Sequence, residues 1–170
     1  MTKTNRSIDA ELVKLGEALA DLSPAYFAAL DDANEKGGPA RELAYDRAGG
    51  RAGGHTSAFS SELDRAYAET GADKAWEKYD SLDKQTDVIA RKMMRIPART
   101  AAGLRAKTIL AMHTCRYLWS EPQDDLDWDQ KGMRSLIEAV CTVMGLEVPA
   151  EKLEGKDKGK PGRPTTAMLQ

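Results

Sequence analysis

The sequence is poor in the side chains that usually fill a hydrophobic core. Leu, Ile, Val and Phe together number 28 in 170 residues against 25 Ala, and aromatics make up only 6%. A fraction this low signals disorder only when net charge is high, and 25 Lys and Arg against 27 Asp and Glu leave a net charge of −2. The expectation is an ordered chain with a thin core, built from helices that meet through small side chains, because Ala is the best helix former. Near neutrality excludes an overall charge field directed at nucleic acid, an anionic membrane or an acidic substrate, so such a partner would need a local patch. The two cysteines, Cys115 and Cys141, form no CxxC pair and fall inside predicted helices, which excludes a disulfide framework and makes them small buried hydrophobes. No run of 18 apolar residues occurs and the opening MTKTNRSIDAEL has no apolar stretch. Membrane insertion and secretion are therefore not expected, and the expected location is the cytoplasm. The length suits one domain rather than a large multidomain enzyme.

What the sequence does have is period. Ile8, Leu12, Leu15, Leu19, Leu22 and Tyr26 recur at spacings of three and four after the candidate N-caps Ser7 and Asp9, which predicts an amphipathic first helix. Ser23-Pro24 is expected to kink or restart it, and Gly37-Gly38 to end it. Helical character returns from about Ser60, with a break at Gly71. Then Ala75, Tyr79, Leu82, Thr86, Ile89, Met93 and Ile96 repeat over three heptads, near the minimum for a coiled coil. Two seams of equal period predict an antiparallel hairpin. Pro97 ends the second seam and Thr100 caps a third helix carrying Leu104, Thr108, Ala111, Cys115 and Leu118, expected to stop near Glu121-Pro122. Asp127 and Gln130 form a capping box for a last helix with Met133, Leu136, Ile137, Val140 and Met144, closed by Gly145. The fold class is therefore all-α: a helical hairpin with two further helices, near 101–119 and 128–144, packed on it.

Two stretches fall outside this pattern. Residues 37–58 hold six of the 14 glycines and few bulky apolar groups, which predicts a mobile connector within a single helical domain over 1–149. Residues 150–170, rich in Lys, Gly and Pro, read as a disordered basic tail.

Charge is unevenly spread. Residues 91–120 carry seven basic and no acidic side chains, and residues 121–150 carry two basic and seven acidic. Arg91, Lys92, Arg95, Arg99, Arg105 and Lys107, with Lys158, Lys160 and Arg163 of the tail, are candidate nucleic-acid contacts. Arg116 closes the same island. The competing explanation is that these cations offset Asp124, Asp125, Asp127, Asp129 and the acidic first helix. In the tail, Gly162-Arg163-Pro164 resembles the core of the AT-hook, a short peptide that slides arginine into the A·T minor groove, but Pro161 stands where its first arginine belongs. Gly49-Gly50-Arg51-Ala52-Gly53-Gly54-His55-Thr56 has the spacing of a phosphate loop, with His55 in the lysine position and no strand before it. His113 and Cys115, two apart on a helix, point in different directions and make neither a metal site nor a nucleophilic pair. No acid/base constellation is recognisable, so no enzyme activity, cofactor, metal or small-molecule substrate is expected. Trp76, Tyr79, Trp119 and Trp128 read as packing groups at the hairpin ends.

The segment Ile96-Pro97-Ala98-Arg99-Thr100-Ala101-Ala102-Gly103-Leu104-Arg105-Ala106-Lys107, with the opening Asp9-Ala10-Glu11-Leu12-Val13-Lys14-Leu15-Gly16, resembles a group of small helical proteins frequent in alphaproteobacterial genomes. The resemblance covers two short patches and implies a helical fold with no activity to carry over. The function expected is a non-enzymatic interaction or scaffold module that meets a protein partner or a second copy through its helices, with nucleic-acid binding as the alternative.

Overall fold

A computed structural model describes residues 9–50 and 57–149. The protein is all-α: α1 (Ala10–Arg47), α2 (Ser57–Thr70), α3 (Ala72–Arg95), α4 (Ala101–Thr114) and α5 (Trp128–Met144), with short 3-10 turns at Arg116–Trp119 and Gln123–Asp125. Among the described residues there is no strand, and no helix is long and apolar enough to cross a membrane. Contacts group the chain into two compact units that divide between His113 and Thr114.

In the first unit α1 and α3 form the antiparallel hairpin. Met93 lies beside Gly16 near one end, the Tyr26 and Tyr79 rings meet in the middle, and Trp76 lies on Gly37 towards the other end. Each end of this pair gains a third helix. Leu12 and Leu19 of α1, Ala90 and Met93 of α3, and Ala106 and Leu110 of α4 make one core. Ala40 and Ala44 of α1 with Phe59 and Ala66 of α2 and Ala72 of α3 make the other. Tyr45 stacks on Phe59, and Arg47 and Glu69 join in a two-pronged ion pair at 3.0 and 2.9 Å that ties α1 to α2.

The expected end of the first helix at Gly37-Gly38 is corrected, and with it the part of the 37–58 connector that is helical, 37–47 and 57–58; positions 51–56 lie outside the described residues. α1 runs on through both glycines and Pro39 to Arg47, and residues 57–58 already belong to α2. The reason is tertiary. Ala33, Gly37, Ala40 and Ala44 are all buried at spacings of four, three and four, so the glycine continues the contact seam instead of interrupting it. Packing of an amphipathic face outweighs the intrinsic cost of Gly and Pro in a helix. Pro24 and Pro39 are both exposed, as are Ala20 and Glu35, whose carbonyls lose an i+4 donor, so water satisfies them. The seam itself also differs from the leucine pattern: Leu12, Gly16 and Leu19 are buried, whereas Leu15 and Leu22 are half-buried. Small residues set the closest approach because α1 carries neighbours on more than one side.

In the second unit α4 gives way to a 3-10 turn after Thr114, earlier than the predicted stop near Glu121. The tighter turn brings Leu118 and Trp119 into the interior, where both are buried. The α5 boundaries follow the sequence: Gln130 Oε1 accepts the Asp127 N–H at 3.0 Å in the capping box, and Gly145 adopts φ 61°, the left-handed conformation that favours glycine.

Candidate functional site

The junction between α3 and α4 is built from both sides. Asp9, buried at the start of α1, holds the two residues that lead into α4. Its Oδ2 accepts the Arg99 N–H at 2.9 Å, the Thr100 N–H at 2.8 Å and the Thr100 hydroxyl at 2.7 Å, while Thr100 Oγ1 accepts the Gly103 N–H at 3.1 Å. Thr100 is thus the helix cap expected of it, itself held by Asp9. The Thr100 hydroxyl first, then the Arg99 N–H, hold the Asp9 carboxyl below its usual range against the opposing effect of burial. A depressed carboxylate stabilises the fold fully above its unfolded pKa, and the effect disappears as pH falls through the folded value. The anchor is therefore expected to persist through mildly acidic conditions and to fail only below the ordinary aspartate range. Urea titrations against pH check this: Asp9→Asn should be less stable than the parent at neutral pH, the difference should narrow at the acid end, and a constant difference would refute the assignment.

On the other side of the junction, Lys107 of α4 donates Nζ to the carbonyls of Met93 and Met94 at the end of α3. Lys107, one of the candidate nucleic-acid contacts, is thus engaged within the fold, where its charge caps a helix C-terminus that favours a cation. Arg91, Lys92, Arg95, Arg99 and Arg105 are all exposed. Val88, Arg91, Lys92 and Arg95 stand at i, i+3, i+4 and i+7, one face of α3, opposite the buried Ala90 and Met93. Arg91 pairs with Asp87 one turn back at 2.7 Å on an exposed surface, an arrangement that contributes little and exchanges easily. Val88 on that face is exposed, as are Met94 of α3 and Leu104 of α4. Lys158, Lys160, Arg163 and the AT-hook-like peptide lie outside the described residues, as do positions 51–56 of the phosphate-loop-like segment, whose Gly49 follows helix α1.

Midway along the hairpin, His113 sits half-buried against the rings of Tyr26 and Phe27, at 4.9 and 5.3 Å, with Nδ1 2.9 Å from Ser23 Oγ. The Ser23 hydroxyl also lies 2.7 Å from the Leu19 carbonyl; when it donates there it accepts from His113 Nδ1–H, which fixes the imidazole tautomer. Burial first, then the Tyr79 hydroxyl 3.1 Å away and Asp83, raise the Tyr26 phenol above its usual range, so it stays neutral. The cluster joins α1, α3 and α4 as packing. Among the described residues no group of three or more His, Cys, Asp or Glu could hold a metal.

The surface that the sequence reading missed lies on α5. Its inner face buries Arg134, Ile137 and Cys141. The Arg134 guanidinium donates to Glu138 Oε1 at 2.8 Å and to the Leu118 carbonyl at 3.1 Å, and Trp119 Nε1 donates to the same carboxylate oxygen at 3.2 Å. Burial, and secondarily Glu138, raise the Cys141 thiol, which keeps it protonated and inert. Cys115, expected inside a helix, stands between α4 and the 3-10 turn with Sγ 3.7 Å from Met133 Sδ. The outer face of α5 carries Trp128, Gly132, Leu136, Ala139 and Val143 at spacings of four, four, three and four, all exposed. Trp128 is 89% exposed, Leu136 66% and Val143 79%. The packing roles predicted for Trp128 and Leu136 are thus corrected. The repeat was visible in the sequence, but α5 is apolar on two faces, and periodicity alone does not say which one is covered.

Compared with family models, with curated proteins and with solved structures, the chain matches none.

Proposed function

We propose that the protein is a helical interaction module that works by self-association, with the outer face of α5 as its docking surface. The observation that carries this reading is the exposure of Trp128, Leu136 and Val143 on one face of a helix whose opposite face is already buried. Isolated exposed hydrophobics need no explanation, but a tryptophan, a leucine and a valine aligned at helical spacing form a contiguous apolar stripe of the kind that seeks a partner. Tryptophan is also the side chain that most often dominates the energy of an interface. The exposed α5 stripe, and not any property of Ser23 and His113, is what supports recognition as the class of function.

The test is the oligomeric state of the full chain. Sedimentation velocity is expected to give the parent a mass above the monomer that rises with concentration, and to give Leu136→Asp the monomer. Full burial of a leucine is worth about 2 kcal/mol, so the substitution should weaken association by about 30-fold or more. A monomeric parent at high concentration would refute the reading.

A further inference from the structure

Resting on that reading, we propose that the α5 face of one copy docks on the basic end of a second copy, at the junction of α3 and α4, so that the chain assembles head to tail. Two features identify this end as the acceptor. It presents five exposed cations, Arg91, Lys92, Arg95, Arg99 and Arg105, with no acid between positions 91 and 107, and exposed Val88, Met94 and Leu104 stand on the same two helices. A phosphate backbone rewards the cations but not three exposed apolar groups beside them. An amphipathic helix with acidic flanks rewards both, because apolar contacts at the centre of an interface and opposite charges at its rim act together.

α5 is such a helix. Asp124, Asp125, Asp127 and Asp129, all exposed, surround its beginning next to Trp128, and residues 121–150 carry seven acids against two cations, Lys131 and Arg134. Arg134 is buried within its own unit. Two α5 faces pairing with each other would set one acidic segment against another and give neither a basic partner surface. The basic end of another copy has the opposite sign and matching apolar groups. Because donor and acceptor surfaces differ, the contact is heterologous, and each added copy leaves one surface of each kind open for a further one.

Complementation tests this in the full chain. A variant with a damaged acceptor, Lys92→Glu/Arg95→Glu, keeps its α5 face, and Leu136→Asp keeps its basic end. Each alone is expected to sediment as a monomer. Their equimolar mixture is expected to form a heterodimer and nothing larger, because one good face then meets one good end and growth stops. The parent should grow beyond a dimer and dissociate as salt is raised. Met94→Asp is a second acceptor variant, for the case in which charge reversal loosens the end of α3, and it should complement in the same way. If the acceptor variants associate like the parent while Leu136→Asp does not, the head-to-tail inference falls and the α5 reading stands. A parent that remains a monomer overturns both. A mixture of monomers that stays monomeric, or a duplex DNA oligonucleotide retarded by the parent and by Leu136→Asp but not by the acceptor variants, overturns the inference, the second result by showing that the basic end serves nucleic acid.

Discussion

Arg134→Ala is expected to destabilise the C-terminal unit by about 3 kcal/mol, a large share of what a unit of this size can hold. The guanidinium is buried, with 6% of its side chain exposed, and it connects Glu138 Oε1, the Leu118 carbonyl and, at 3.4 Å, the Glu121 carbonyl. It also lies over the Trp119 ring, 5.8 Å from its centre. Alanine removes the charge-assisted bonds, takes a donor from the interior Leu118 carbonyl and opens space against the tryptophan, and the first two of these are costly because the partners remain behind. Glu138 is 32% exposed, so water partly rescues the carboxylate, which is why the lower end of the range for a broken buried pair is chosen. Hydrogen exchange provides a local readout: amides of α5 should lose protection while those of α1 and α3 keep theirs. In a Cys115→Ser background the alkylation rate of Cys141, buried and protonated in the parent, should rise in step. Unchanged α5 protection would mean that Ile137 and Cys141 hold the helix without the ion pair.

The two units differ in how much of them the sequence discloses. α3 is legible almost to the residue, because Gly71 and Pro97 bracket it and its buried positions Ala75, Thr86 and Met93 fall on the predicted seam. The capping box and Gly145 define α5 equally well. What the sequence conceals are facts of packing. Gly37 is a helix breaker by propensity and a contact point in the fold, and only the Trp76 indole 3.1 Å from where its Cβ would stand distinguishes the two. Lys107 counts as one more cation until α3 ends beside it. Asp9 reads as a cap for α1, whereas its carboxylate serves the N-terminus of α4, some ninety residues away. Of the cationic site, the five exposed positions were legible as charge, while the exposed apolar groups beside them and the exposed stripe of α5 depend on which faces neighbouring helices leave open, and local periodicity does not encode that.

Substituting two glycines of the same helix should move stability in opposite directions. Gly38 lies in α1, exposed, with nothing within 4 Å of the place an added methyl group would take, so Gly38→Ala is expected to stabilise the protein by about 1 kcal/mol through helix propensity alone. Gly16 is the opposite case. A Cβ there would stand 2.8 Å from Ala106 Cβ and 3.1 Å from Ala106 Cα, and the second of these is backbone, which cannot swing aside. Gly16→Val must push α4 away from α1 at the core formed by Leu12, Leu19, Met93 and Leu110, and overpacking of this kind costs about 3 kcal/mol. The proximity also predicts a rescue. In Gly16→Ala/Ala106→Gly the methyl group moves from one helix to the other with total volume conserved, so the double variant should be more stable than Gly16→Ala is once the roughly 1 kcal/mol helix penalty of the new glycine is allowed for. Chemical denaturation of the four proteins of that cycle measures the coupling directly. Additive effects would mean that α1 and α4 approach no more closely at Gly16 than elsewhere, and would remove the reason for a glycine at that position.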